Sequence, residues 1–168
     1  MKRFITLALL ITVCFLLQTT IFQMLSLADV VPNLLLILTV AFGYMRGEKE
    51  GLYIGFCCGL LVDCIFGDVV GIYAFIYMLI GYINGFVNKM YYSDDIIIPV
   101  VLVAASDFIY DFLYYVFEFL LRGRLNFFFY LRRIMLPELI YTVLLSVLFY
   151  KLFHTINSWL EKMEKREA

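Results

Sequence analysis

Three acidic residues in one apolar run are the side chains of this sequence best suited to chemistry. Asp107, Asp111 and Glu118 are spaced so that, on a helix, all three lie within roughly 40° of one face. Each carboxylate near the middle of a bilayer costs about 2.5–3.5 kcal/mol on insertion scales. Arg122 follows Asp107 at a distance of about 22 Å along a helix axis, so the pattern offers no obvious cation. The acids must therefore be protonated, hydrated, hydrogen-bonded to Tyr, Ser or Asn, or bound by another protein.

Three roles are open to these acids: a polar seam between helices, a docking site for another protein, and proton transfer or catalysis. The last apolar run begins with Pro137 and Glu138, which predict a kink and one further acid near its start. We expect Asp107, Asp111 and Glu118 to act in helix packing and partner binding rather than in chemistry, and we expect no catalytic residue.

A second pattern repeats at every fourth position of the sequence GLYIGFCCGLLVDCIFGDVVG. Its members, here called the glycine ridge, are Gly51, Gly55, Gly59, Asp63 and Gly67. Glycines at i and i+4 let two membrane helices approach closely, because lipid gives no hydrophobic drive and packing must supply the attraction. An aspartate in such a run is expensive. We therefore expect a helix contact in which a neighbour satisfies Asp63, with a ligand or proton site as the alternative.

Composition determines the class of protein. The chain has 168 residues, of which 64% are hydrophobic and 16% charged, and its mean hydropathy is +0.94. A soluble domain averages about 45–50% apolar and about 25% charged residues. The chain is therefore expected to be an integral membrane protein with a single domain, residues 1–168, and without room for a soluble catalytic module.

Metal and disulfide chemistry find little support in the sequence. Cys14, Cys57, Cys58 and Cys64 lie in apolar runs and none has a CxxC or Cys/His spacing, while His154 is the single histidine. Buried cysteines behave as small apolar residues. We expect no disulfide, metal site or cofactor, and no nucleic-acid partner.

Apolar runs predict six transmembrane spans at residues 4–27, 32–45, 51–66, 69–87, 96–121 and 134–157. Pro32 suits the first turn of the second span, since its missing N–H would be unpaired there, and Asn33 follows it. Both are counted with the helix-packing or partner-binding residues. At about 1.5 Å per residue the second and third spans barely cross a bilayer of about 30 Å. They are therefore expected to form a tight hairpin held among longer helices.

Two polar segments complete the chain. Residues 122–133 are too polar to span and include Phe127, Phe128, Phe129 and Tyr130, so we expect a segment in the membrane interface, with a re-entrant course left open. Residues 158–168 predict a short charged cytoplasmic helix in which Glu161 and Lys165 can pair.

The distribution of Lys and Arg predicts the orientation. With six spans and a cytoplasmic N-terminus, the inner segments hold Lys2, Arg3, Arg46, Lys49, Lys89, Lys162, Lys165 and Arg166. The last outer segment holds Arg122, Arg124, Arg132 and Arg133, which is an exception to the rule that basic residues stay inside. The balance still predicts that both termini are cytoplasmic.

The arrangement resembles the MreD family, the bacterial rod shape-determining membrane proteins. The likeness rests on six short spans, on the Pro32-Asn33-Leu34 entry to the second span, and on GLYIGFCCGLLVDCIFGDVVGIYAF. It covers most of the chain and is densest over residues 32–85. The resemblance implies a compact bundle of about six transmembrane helices in the bacterial plasma membrane, similar in layout to the substrate-binding components of vitamin transporters.

The resemblance also implies a function. MreD proteins work with MreC, and with MreB, RodA and a class B penicillin-binding protein, in building lateral-wall peptidoglycan. The expected role is a membrane scaffold of the cell-elongation complex, with an MreC-like protein as a partner. The alternative is a substrate-binding subunit of a vitamin-type transporter, with a cavity lined by the glycine ridge and the acids of the fifth span. An intramembrane aspartyl peptidase is disfavoured. Lipoprotein signal peptidases need two carboxylates that share a water, and their motifs place Asn and Asp together in ways absent here. Gly67-Asp68 also lacks the GxGD form of the other intramembrane aspartyl group.

Overall fold

The computed structural model describes residues 2–26, 29–91, 93–120, 122–123 and 126–167, apart from the side chains of Lys2 and Glu167. Within these residues the chain is 86% helix and has no strand. The α-helices are α1 (Lys2–Thr19), α2 (Ile21–Met24), α3 (Leu34–Arg46), α4 (Glu48–Phe66), α5 (Ile72–Met90), α6 (Ile97–Tyr115), α7 (Phe127–Tyr130) and α8 (Leu136–Glu167). Two π-helical turns, Val116–Leu120 and Leu131–Met135, extend α6 and join α7 to α8.

The predicted class, an all-α membrane protein, is confirmed. Among the described residues, three helical stretches are long and apolar enough to cross a membrane: Arg3–Met24, Ile97–Leu120 and Phe127–Arg166. α3 is apolar but shorter, and α4 begins with three charged residues, Glu48, Lys49 and Glu50. A count of six complete crossings, with α3, α4 and α5 as the second to fourth, remains our proposal.

α3 lies at the centre of the helix bundle. Every residue from Leu34 to Met45 is buried, and α3 contacts α1, α4, α5, α6 and α8. A helix that is apolar around its whole circumference suits a position without a polar surface. Its 13 residues extend about 20 Å, less than the roughly 30 Å of a bilayer core. Because other helices surround α3, its N-terminus can lie inside the bundle.

A single residue connects α3 to α4. α3 ends at Arg46 and α4 begins at Glu48, and Gly47 between them has φ 99°. This left-handed conformation is strained for residues with a side chain and readily adopted by glycine. The two helices therefore fold back on each other tightly, as the sequence led us to expect of the second and third spans.

Ion pairs gather the segments predicted to be cytoplasmic at one end of the bundle. Arg3 pairs with Glu50, and also with Glu164 at 3.1 Å. Arg46 pairs with Glu164 at 3.2 Å. Exposed ion pairs contribute little stability, but these contacts bring together the start of α1, the α3–α4 turn and the end of α8. Lys89 at the end of α5 joins the same end by pairing with Glu48 at 3.2 Å.

The segment that we expect in the membrane interface, residues 122–133, is joined to α8 from Phe127 onwards. Phe127–Arg166 is one continuous helical stretch, so α7 leads directly into α8. Its rings pack on the end of α6: the Tyr115 and Phe127 centroids are 5.1 Å apart, as are those of Phe119 and Tyr130. These aromatic contacts hold the segment against α6 as the second arm of a helical hairpin.

We predict that the α3–α4 turn and the C-terminus face the cytoplasm. Reporter fusions at Glu48 and after the last residue should both report cytoplasm, because the ion pairs of Arg3 and Glu164 hold these segments at the end that carries the basic N-terminus. A fusion after Asp68, in the α4–α5 connection, is the matched control and should report the opposite side. A periplasmic signal from either of the first two fusions would contradict the topology.

Candidate functional site

The glycine ridge lies against the backbone of α5. A methyl group added at Gly51 would come to 2.9 Å from the carbonyl carbon of Gly81. The same addition at Gly55 would reach 2.8 Å from the carbonyl carbon of Tyr77, and at Gly59 2.7 Å from the nitrogen of Ala74. All three distances are below van der Waals contact. No side chain fits between α4 and α5 along this line.

Gly67 differs from the other ridge glycines. A methyl group there would meet the backbone of Asp63, one turn earlier in the same helix, rather than α5. Gly67 follows the last residue of α4, and its backbone is extended, with φ −78° and ψ 126°. Its role is to end α4, so the predicted run of five contact positions stops at Asp63.

Asp63 caps α5 from the neighbouring helix. Its side-chain oxygens accept hydrogen bonds from the backbone N–H groups of Tyr73, at 3.1 Å, and Ala74, at 2.8 Å. The residue before α5 is Gly71, which has no side chain to cap the helix. A carboxylate at a helix N-terminus satisfies unpaired N–H groups and interacts favourably with the positive end of the helix dipole. Asp63 is only 1% exposed, so its hydrogen-bonding capacity is directed to α5.

The N-terminus of α3 is buried and is hydrogen-bonded to side chains of three other helices. The Asn33 side-chain oxygen accepts hydrogen bonds from Leu36 N–H at 3.1 Å and from the Tyr77 hydroxyl at 2.6 Å. The Asn33 N–H donates to the Thr142 hydroxyl at 3.2 Å. Gln18 of α1 accepts from the N–H of Leu35 at 3.2 Å. Pro32 lies just before this cap and accepts from Leu34 N–H through its carbonyl, at 3.2 Å.

Sequence reasoning missed the three partners of this cap. Gln18, Tyr77 and Thr142 each lie inside an apolar run, where a polar residue in a membrane helix indicates a bond to another helix. That signal identifies the residues but not their common partner, because the three runs are far apart in sequence.

The structure separates the three acids of the fifth span. Asp107 and Asp111 are 0% and 1% exposed on α6. Glu118 lies in the π-helical turn Val116–Leu120 and pairs with Arg122 at 3.4 Å. The prediction that these acids have no cation of their own is therefore wrong for Glu118. The wider π-helical turn alters the 100° spacing on which the common face depended.

Asp107 and Asp111 face the interior of the bundle. The Thr142 hydroxyl of α8 faces Asp107, and Glu138 of the same helix lies within electrostatic range of both aspartates. Both carboxylate oxygens of Asp107 and one of Asp111 are buried without a hydrogen bond of normal geometry among the described residues. Uncompensated polar groups in such surroundings are costly. The pair is thus a polar seam between α6 and α8, and its burial keeps it away from the outer surface.

A cavity of about 670 Å³ lies elsewhere, in a groove between α1 and α4. Its lining is mostly apolar and includes Leu7, Ile11, Ile54, Cys57 and Cys64, with Arg3 and Glu50 at one end. Neither the ridge residues nor the acids of α6 line it. The described residues contain no group of three or more His, Cys, Asp or Glu side chains suited to a metal.

Comparison with protein-family models shows which family the chain belongs to. The family model for the rod shape-determining protein MreD matches residues 1–157. The chain belongs to the MreD family. Its role is accordingly in rod-shape determination, and MreD is a family of shape-determining structural membrane proteins rather than a known enzyme family. No curated protein and no solved structure matches the chain. The resemblance read from Pro32-Asn33-Leu34 and the glycine-rich third span is confirmed.

We predict that larger residues on the ridge of this MreD family member lower its folded yield. Gly55→Leu or Gly59→Leu would force α4 and α5 apart, and overpacking of this kind typically costs about 1–3 kcal/mol. The measurement is the monodisperse fraction and the thermal stability in detergent. Cys57→Ser is the matched control on the same helix, since Cys57 is exposed. Unchanged stability in both leucine variants would show that the α4–α5 contact tolerates separation.

Proposed function

We propose that this MreD family member is a membrane scaffold of the bacterial cell-elongation complex. It would support lateral peptidoglycan synthesis by binding an MreC-like protein, and with it MreB, RodA and a class B penicillin-binding protein. These partners come from the family resemblance. In this proposal the protein lies in the plasma membrane with both termini cytoplasmic, where the ion-paired end of the bundle would face the cytoplasmic components.

The observation that carries the scaffold role is the burial of the residues suited to chemistry. Asp63 is bonded to the start of α5, and Asp107 and Asp111 lie 0–1% exposed between helices. Acidic residues that lie buried between helices favour a protein that presents a fixed shape. Partner contact would then use the outer helix faces and the two polar ends, while the buried aspartates would determine how those faces are arranged.

The transporter alternative receives no comparable support. It requires a cavity lined by the glycine ridge, Asp63 and the acids of the fifth span. The ridge is filled by the backbone of α5, and the 670 Å³ groove between α1 and α4 does not include these residues. An aspartyl peptidase would need two carboxylates around a shared water, whereas the carboxylate of Asp63 is occupied by the N–H groups of Tyr73 and Ala74.

Substitutions at Asp107 test the scaffold role. Asp107→Asn should keep much of the rod-shape activity, because an amide of the same shape presents a donor and an acceptor to the facing Thr142 hydroxyl. Asp107→Leu should fail in shape while the protein still reaches the membrane, since removing the carboxylate lowers the insertion cost by about 2.5–3.5 kcal/mol. The measurement is rod-shape complementation combined with co-purification of an MreC-like partner.

Two controls make this test specific. Phe108→Leu changes the neighbouring residue, which lies on an exposed part of α6, and should be silent. Asp94→Asn removes an exposed carboxylate in the α5–α6 connection and should also be silent. Complete loss of activity in Asp107→Asn with the partner complex intact would contradict the scaffold role and favour proton transfer or catalysis.

A further inference from the structure

The outer surface of α8 carries a continuous apolar stripe, which we call the lipid stripe. It consists of Leu136, Ile140, Leu144, Leu148 and Leu152, spaced four residues apart and between 47% and 68% exposed. Residues four apart lie one above the other on a helix, with a slow drift. In a membrane protein, such a stripe faces the acyl chains and marks the depth of the hydrocarbon core along this helix.

Arg132 lies one turn beyond the end of the lipid stripe. Because the chain is one continuous helix from Phe127 onwards, Arg132 is about 6 Å further along the axis than Leu136. The polar headgroup region adds about 5–7.5 Å on each side of the hydrocarbon core. This places the guanidinium of Arg132 at the depth of the lipid phosphates. Arg133 follows it, and its guanidinium carbon lies 5.6 Å from the ring centroid of Phe129.

These two arginines differ in their partners from Arg3, Arg46 and Arg122. Arg3 and Arg46 pair with Glu164, and Arg122 pairs with Asp68 at 3.2 Å and with Glu118. Arg132 and Arg133 are both exposed, and no carboxylate in the described part of the chain pairs with either of them. They also belong to the outer segment that breaks the usual preference for basic residues on the cytoplasmic side.

We propose that Arg132 and Arg133 bind the phosphate groups of anionic phospholipids in the leaflet opposite the chain termini. Guanidinium groups bind phosphate oxygens through two parallel N–H donors. A lipid phosphate satisfies two exposed cations that pair with no carboxylate of the described residues, at the depth where the lipid stripe ends. The site does not depend on the scaffold role, because it rests on the position and pairing of these residues.

Contact quenching of a single tryptophan tests the site. The reporter is Leu136→Trp in a Trp159→Phe background, which removes the one native tryptophan. The purified full chain is placed in vesicles of equal phosphatidylcholine and phosphatidylglycerol, with brominated acyl chains on only one of the two lipids. Attraction of anionic lipid to a basic side chain at the surface corresponds to about fivefold enrichment per arginine. Brominated phosphatidylglycerol should therefore quench the reporter more strongly than brominated phosphatidylcholine.

Substitutions of the two arginines distinguish an effect of charge from an effect on folding. Arg132→Gln with Arg133→Gln should bring the quenching ratio to one, while Arg132→Lys with Arg133→Lys should retain a ratio above one. Arg166→Gln, near the opposite end of α8, is the matched control and should leave the ratio unchanged. Inorganic phosphate at constant ionic strength should not lower the ratio.

Three results would overturn the proposal. A ratio of one in the reporter protein means that the arginines do not select anionic lipid, as expected if carboxylates of another protein are their partners. A ratio that survives the double glutamine substitution means that another group attracts the lipid. Loss of the preference on adding inorganic phosphate means that the site takes the free ion instead of the headgroup.

Discussion

The start of α3 imposes the main constraint on this bundle. A helix that begins inside a membrane protein has N–H groups that no water can satisfy, and each unsatisfied group costs several kcal/mol. Asn33 and Gln18 satisfy two of these groups, and Tyr77 and Thr142 hold Asn33 in place. The partners come from α1, α5 and α8, so the cap of one helix determines where three others lie.

The rest of the packing is consistent with this arrangement. Once Tyr77 fixes α5 beside α3, the glycine ridge of α4 can approach the α5 backbone without an intervening side chain. Asp63 then reaches the first turn of α5 and replaces the cap that Gly71 does not provide. Close backbone packing and hydrogen bonds are the forces available between helices in lipid, where apolar burial gives no advantage. The same residues that looked suited to chemistry therefore account for the geometry.

Part of this structure was readable from the sequence. Four-residue spacing of glycines depends only on helix geometry, which is why the close packing of Gly51, Gly55 and Gly59 could be anticipated. The central position of α3 was harder to predict, because an apolar circumference is equally compatible with a helix surrounded by lipid. The pairing of Glu118 with Arg122 was missed because Arg122 was assigned to the polar segment after the span, although their four-residue spacing favours an ion pair on a helix. The neighbours of Asp107 depend on a contact with α8 that local patterns do not encode.

These observations connect the family role to physical features of the chain. A shape-determining membrane protein in which Asp63, Asp107 and Asp111 are buried can act by presenting surfaces in a fixed relation to one another. Here the ion pairs of Arg3, Arg46 and Glu164 define one end, and the hairpin of α6 with α7 and α8 defines the other. Buried bonds at Asn33 and Asp63 would keep these two ends in register, which suits the scaffold role proposed above.

A double-mutant cycle between Asn33 and Tyr77 tests the central constraint most directly. Loss of an N-cap costs about 0.5–2 kcal/mol, so Asn33→Ala should destabilise the protein in detergent, and Tyr77→Phe should do so by removing the hydroxyl bonded at 2.6 Å. Residues in one hydrogen-bond network show coupling energies of about 0.5–3 kcal/mol. The combined variant should therefore lose less stability than the sum of the single losses. Strictly additive losses would mean that the two side chains act independently and that the cap of α3 does not hold α5.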